Sequence, residues 1–140
     1  MDTIEKVIEN PVIIQFDEDD SYYMVLDMIC YNMGQKVTAY ASNIDDIRKI
    51  IKSIEAKELK PNIAVIADYL GYNFEDGEKL CAKLKELVPD IKVIAFVTDP
   101  ETTWGDFQAI KSGQDQSKTL VSILKTLTGS EFNSSNIPTK

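Results

Sequence analysis

Short apolar runs recur along this chain, and between them apolar residues recur at helical spacing. The runs lie at 12–16, 63–67 and 93–97, and the mixed stretch 36–40 reads as a further strand. A short, nearly continuous apolar run suits a strand covered on both faces, as in a parallel sheet. The helical stripes are Tyr22, Val25, Leu26, Ile29 and Met33, then Ile47, Ile50, Ile51 and Ile54, then Leu80, Cys81, Leu84, Leu87 and Val88, and finally Leu120, Ile123, Leu124 and Leu127. Local punctuation agrees with this division. The acids of 17–20 and the pair Ser42-Asn43 are helix-capping residues, while Gly34, Pro61 and Pro89 stop what precedes them. Strands that alternate with helices lie parallel, because each helix returns the chain to the same sheet edge. The expected class is therefore α/β, a parallel sheet with right-handed crossovers.

A chain of 140 residues has room for one domain with a real core and not for two. That domain is expected over 1–128. The segment 129–140 is small, polar and aperiodic, and is expected to be a disordered tail. No apolar run approaches the roughly 18 residues of a membrane span. The N-terminus shows no basic segment followed by a long apolar one, so a secretory signal is not expected and a cytoplasmic location is. The net charge of −8 argues against nucleic acid, whose backbone is bound by clustered Lys and Arg. It suits a basic protein partner or a bound cation. The absence of His removes His-activated nucleophiles and most zinc sites. Cys30 and Cys81 lie in helical stripes and read as small buried hydrophobes.

The stretch 100–118 admits two readings. In one, Trp104, Phe107 and Ile110 face inward from a fourth helix that ends at Gly113, with no fifth strand. In the other, Phe107 to Ile110 form a short fifth strand ending at Lys111, and the helix before it is shortened or lost. The second keeps five strands and leaves Asp115 or Ser117 to cap the last helix. Trp104 reads as a packed anchor in either case.

In open sheets of this kind, ligands bind beyond the C-terminal ends of the strands. Three such ends carry polar chemistry here: Asp17-Glu18, Asp68 and Thr98. Carboxylates brought that close repel one another unless a cation sits between them. Hard oxygen donors in this number suit Mg²⁺. A metal-bound Asp can accept a phosphoryl group, and a nearby Lys and hydroxyl can bind the phosphoryl oxygens.

The order and spacing of these elements resemble the receiver domain of two-component response regulators, the CheY-like family. The resemblance covers most of 11–128. It rests on the strand at 12–16 followed by Asp17-Glu18, on 61–67 followed by Asp68, on the loop from Asp68 to Gly77 with its Phe-Glu-Asp-Gly ending, and on 93–97 followed by Thr98. It implies a flavodoxin-like three-layer sandwich with strand order 2-1-3-4-5. It implies Asp68 as phosphoacceptor, and Mg²⁺ held by Asp17, Glu18, Asp68 and the backbone carbonyl of Leu70, with Asp19 replacing either acid if the register slips. Thr98 and Lys111 would bind the phosphoryl group. A sensor histidine kinase or phosphotransfer protein would be the donor, and a downstream protein would dock on the modified face. The role is that of a signalling phosphoprotein, acting alone, rather than of an enzyme with turnover.

The sequence also departs from the family pattern. The loop after Asp68 is one residue longer than usual and lacks the usual Pro. Ungapped matching from Gly77 places Val97, not Thr98, on the switch hydroxyl position. Gln108 stands where an aromatic switch residue is common, with Phe107 beside it. A pseudo-receiver that binds partners without phosphorylation is the alternative reading. A minor one is a haloacid-dehalogenase-like phosphatase, with Asp17 as nucleophile and Asp19 as general acid. Against it, the helix begins at once after Asp20, and the chain has neither room for a flap nor a cap domain.

Overall fold

A computed structural model of the chain describes residues 7–70, 76–111 and 116–132. Each expected strand forms: β1 (Ile13–Phe16), β2 (Val37–Ala41), β3 (Ile63–Ile66) and β4 (Lys92–Val97). Helix α1 (Asp20–Asn32) joins β1 to β2, α2 (Ile44–Glu55) joins β2 to β3, and α3 (Gly77–Leu87) joins β3 to β4. A fifth strand, β5 (Phe107–Ile110), precedes the last helix, α4 (Gln116–Thr128). All pairings are parallel and the strand order is β2-β1-β3-β4-β5, the flavodoxin-like order.

Caps set the helix starts. Asp19 accepts from the Ser21 amide at 2.9 Å, Asn43 from Asp46 at 2.9 Å, and Asp76 from Lys79 at 3.1 Å. Each satisfies an amide that has no partner within its own helix. Gly34 takes φ +73 just after α1, a left-handed turn that favours glycine. Ser117 lies inside α4 and is not its cap, and Asp115 lies outside the described residues.

The strands alternate their side chains between two cores, as a period of two requires. Ile14, Phe16 and Ile66 pack with Ile47 and Ile54 of α2 and with Leu80 and Leu84 of α3. Ile13, Val65 and Phe96 pack on the other face with Leu26 and Ile29 of α1 and Leu120 and Leu124 of α4. Cys30 and Cys81 are buried and unbridged, and burial pushes the Cys30 thiol up to about 12.

Of the two readings of 100–118, the five-strand one holds, and no helix separates β4 from β5. A parallel crossover ordinarily takes about a dozen residues or more, usually a helix. Here 98–106 makes it as a loop, tied down by side chains. The Gln108 amide nitrogen lies 3.0 Å from the Trp104 carbonyl and 3.2 Å from that of Gly105. The Asp106 carboxylate accepts from Lys85 at 2.6 Å and from the Val93 amide at 2.8 Å. Trp104 packs on the first core, over the start of α3. A Cβ on Gly77 would stand 2.9 Å from the Trp104 ring and 1.9 Å from the Ala67 carbonyl oxygen, so only glycine fits there.

Of the segment expected to be a tail, 129–132 carries contacts. Phe132 packs against the second core, and Ser130 Oγ accepts from Gln35 at 2.8 Å. Residues 133–140 lie outside the described residues. Among the described residues no helix is long and apolar enough to cross a membrane.

Candidate functional site

Asp17, Asp68, Thr98 and Lys111 each stand one residue beyond a strand or two, at the C-terminal edge of the sheet. β1 and β3 are neighbours, with Phe16 level with Ile66, so Asp17 and Asp68 leave adjacent strands. The four side chains form two couples.

The first couple is Asp17 and Lys111. Asp17 is 2% exposed, and its amide donates to Ala41 at 3.1 Å. One carboxylate oxygen accepts from the Asp19 amide at 3.0 Å. The other meets Lys111 Nζ at 2.7 Å and has no hydrogen-bond partner beyond that ion pair among the described residues. The Lys111 side chain is only 5% exposed. Its ammonium sits 4.1 Å above the Tyr22 ring centroid and 5.3 Å from that of Phe96, faces that attract a cation. Burial raises the Asp17 pKa above its ordinary 3.8, and the Lys111 hydrogen bond and charge oppose that without cancelling it.

The second couple is Asp68 and Thr98. Both the hydroxyl and the amide of Thr98 donate to one Asp68 oxygen, at 2.9 and 3.2 Å. The Asp68 carbonyl in turn accepts from the Gly77 amide at 3.2 Å, closing the loop that leads into α3. Thr98, not Val97, is therefore the hydroxyl at the site. Val97 belongs to β4, pairs with Ile110 and is fully buried.

The remaining expected residues are placed as follows. Glu18 is solvent-exposed, and Leu70 is buried with its side chain in the first core. The loop at 71–75, with Phe74 and Glu75 of the family-like ending, lies outside the described residues. Asp19 lies beside the site, but its carboxylate accepts from the amide and hydroxyl of Ser21, at 2.9 and 2.7 Å. These bonds lower its pKa, which suits a capping anion and not a general acid. Two residues were not anticipated. Tyr22, assigned to the core by its spacing, forms the floor under Lys111. Tyr40 donates to the Asp17 carbonyl at 2.9 Å and to the Asp20 carboxylate. An aromatic in the first turn after an acidic strand end is a sequence signal for the former; the latter sits mid-strand and gives none.

The donor set bears on a hard divalent cation directly. Among the described residues no three acidic, His or Cys side chains gather closely enough to hold an ion, so Asp17, Glu18 and Asp68 do not converge as a triad. Two carboxylates on adjacent strand ends and a main-chain carbonyl remain, and Mg²⁺ commonly takes only one or two carboxylates and keeps several waters. The Lys111 ammonium already marks where positive charge is needed, on the otherwise unpartnered oxygen of Asp17. The residues present fit a hydrated cation held by few protein ligands.

No family model and no curated protein sequence matches the chain. Solved structures do. A response regulator protein from Burkholderia pseudomallei, with a phosphorylated aspartic acid and a calcium ion, superposes at TM-score 0.64 and 19% identity, over 84% of this chain and 66% of that one. The receiver domain of the Erythrobacter litoralis PhyR response regulator superposes at TM-score 0.66 and 16% identity, over 94% and 97%. The RcsB response regulator of Salmonella typhimurium gives TM-score 0.64 and 14% identity, over 84% and 62%. The chain thus spans under two thirds of the first and third of these proteins and nearly all of the second. At these identities the likeness is one of fold: the chain has the fold of a response-regulator receiver domain.

Proposed function

We propose that the chain serves as a phosphoryl-accepting receiver in a two-component relay in the cytoplasm, with Asp68 as the acceptor. The observation that carries this reading is the Asp68–Thr98 couple. A carboxylate ends a buried strand, and a neighbouring hydroxyl and amide fix its orientation. In the transfer, an Asp68 oxygen forms a bond to phosphorus as the bond from phosphorus to the donor breaks. With a sensor histidine kinase or a phosphotransfer protein as donor, the leaving group is the donor's imidazole. Thr98 then donates to a phosphoryl oxygen, and Lys111 turns from Asp17 to offset the added charge. Mg²⁺ would be held by Asp17, Asp68 and the Leu70 carbonyl, with Glu18 reaching it through water, and would neutralise charge on the phosphoryl oxygens. The chain turns over no substrate in this role, and the modified edge of the sheet is the surface a downstream protein reads.

A small-molecule phosphodonor, acetyl phosphate, with millimolar Mg²⁺ tests the reading by intact mass. The wild type should gain one phosphoryl group and Asp68→Asn should not. Thr98→Val should slow the labelling about a hundredfold, the lower end of the usual scale for losing one preorganised donor.

A second reading has its own support. Lys111 is buried on Asp17 and supplies a cation without any metal. A pseudo-receiver, closed by this ion pair and acting only by docking, would give no mass gain under any condition.

A further inference from the structure

Tyr40 lies near the end of β2, an edge strand, level with Gln15 of β1. Asp17 stands two residues further on, about 7 Å along the strand direction. Of the side chains that carry a hydroxyl, only tyrosine is long enough to cover that distance. A second tyrosine aims the ring. Tyr23 of α1 stacks on it, with centroids 4.3 Å apart and planes 16° from parallel.

A phenol has one proton to donate. Two acceptors stand on it here, the Asp17 carbonyl oxygen at 2.9 Å and the Asp20 carboxylate. They are the two ends of the turn that leads from β1 into α1. Between them the Asp19 amide donates to one oxygen of the Asp17 carboxylate at 3.0 Å, which leaves the other for Lys111. β2 also holds the start of the turn through its main chain, where Ala41 accepts from the Asp17 amide at 3.1 Å. One hydroxyl therefore closes the turn whose geometry aims the Asp17 side chain. Asp20 lies in the first turn of α1, where the helix dipole favours a negative charge. A bond to an ionised acceptor is stronger than a neutral one, so Asp20 fixes the phenol and the phenol fixes the Asp17 carbonyl.

We propose, on the reading of Asp17 as a metal-holding acid beside Asp68, that Tyr40 is a positioning residue for Asp17. Acting through the Asp17 carbonyl, its hydroxyl keeps the carboxylate turned toward Lys111 and available to a divalent cation. Tyr40 bonds the main chain of Asp17 and not its carboxylate, so its loss acts on how the acid is aimed and not on the transfer itself.

Tyr40→Phe keeps the ring and removes one oxygen. Without metal, NMR should show the Asp19 amide exchanging about fivefold faster, as for one weakened hydrogen bond. The Lys111 ammonium signal should weaken through exchange with water, while the amides of Leu26 and Ile29, deeper in α1, exchange as in the wild type. With Mg²⁺ titrated in, amide shifts at 17–20 should report an affinity about tenfold weaker, the scale for losing a group that orients a metal ligand. At saturating Mg²⁺ the rate of Asp68 labelling by acetyl phosphate should match the wild type. Tyr31→Phe, the same change at an exposed site on α1, should match the wild type throughout. Unchanged Asp19 exchange in Tyr40→Phe would overturn the proposal, as would faster exchange along the whole of α1, which would make the hydroxyl merely structural. So would undiminished Mg²⁺ affinity, or slower labelling at saturating Mg²⁺, which would place Tyr40 in the transfer. Failure of the acceptor reading looks different. A wild type that takes no phosphoryl group but binds Mg²⁺ with this dependence on Tyr40 removes the acceptor role and keeps the positioning one. If the wild type binds no Mg²⁺, the metal-free exchange of Asp19 and Lys111 decides alone.

Discussion

Burial and charge pull against each other on Asp17. Burial raises its pKa, and Lys111 only partly restores it. Between pH 3.8 and that raised value the native chain keeps a proton that the unfolded chain has released. Its contribution to stability therefore falls as pH rises through this window and is level above it. Asp106 behaves oppositely. Burial pushes it up, but the Lys85 and Val93 bonds outweigh that and hold it below 3.8, so its stabilisation is lost as pH falls through the lowered value. Lys111→Met would leave Asp17 buried without its cation. Urea denaturation should show a loss of about 3 kcal/mol at neutral pH. Part of that loss should return on acidification as Asp17 takes up a proton; a loss unchanged by pH would mean that the ion pair does not carry it. At this scale the carboxylates were easier to read from the sequence than their partners. Asp17 and Asp68 are the first polar residues after apolar runs, and the end of a run is visible in the letters. That Thr98 reaches Asp68 is not, because counting from Gly77 favours Val97. Only the pairing of Val97 with Ile110 shows that Val97 is still inside the sheet.

The loop at 98–106 replaces a helix with a handful of side-chain bonds. Gln108 is conspicuous in the sequence only as the wrong residue for an aromatic position. In the fold its amide binds the Trp104 and Gly105 carbonyls and so holds the loop in place. Gln108→Ala should cost about 1–2 kcal/mol, the scale for orphaning partly buried carbonyls. Amide exchange should rise in 102–106 before it rises in β4. Gly77→Ala should cost more, about 3 kcal/mol, because the new methyl cannot avoid the Ala67 carbonyl and the Trp104 ring. Equal stability of Gly77→Ala and the wild type would mean that α3 starts elsewhere. The alternation of strands and helices was legible because apolar period and caps agree along most of the chain. The missing helix was legible only as an ambiguity. Phe107 to Ile110 are too few to show a period, and the side chains that replace the helix act through contacts that no local pattern encodes.

Across the whole molecule, the Asp68–Thr98 couple is tied to the start of α3, where the Gly77 amide donates to the Asp68 carbonyl. A ligand shifts a two-state balance only through contacts that differ between the states. Thr98 already bonds Asp68 without a phosphoryl group, so phosphorylation has little new contact to gain there. Amide shifts on treatment with the phosphodonor should accordingly stay near 17–20, 68–77 and 97–99. Shifts spreading to β5 and α4 would show a relay of longer reach. The short crossover also has a consequence in time. Ile94 pairs with Phe107, whereas Ile13 must find Ile63 across α1, β2 and α2. Closing a small loop loses less chain entropy, and nearby pairings tend to form early. The β4–β5 ribbon is thus poised to be the seed on which the other strands assemble. Weakening it with Ala109→Gly should slow refolding, while Ile13→Val should mainly hasten unfolding.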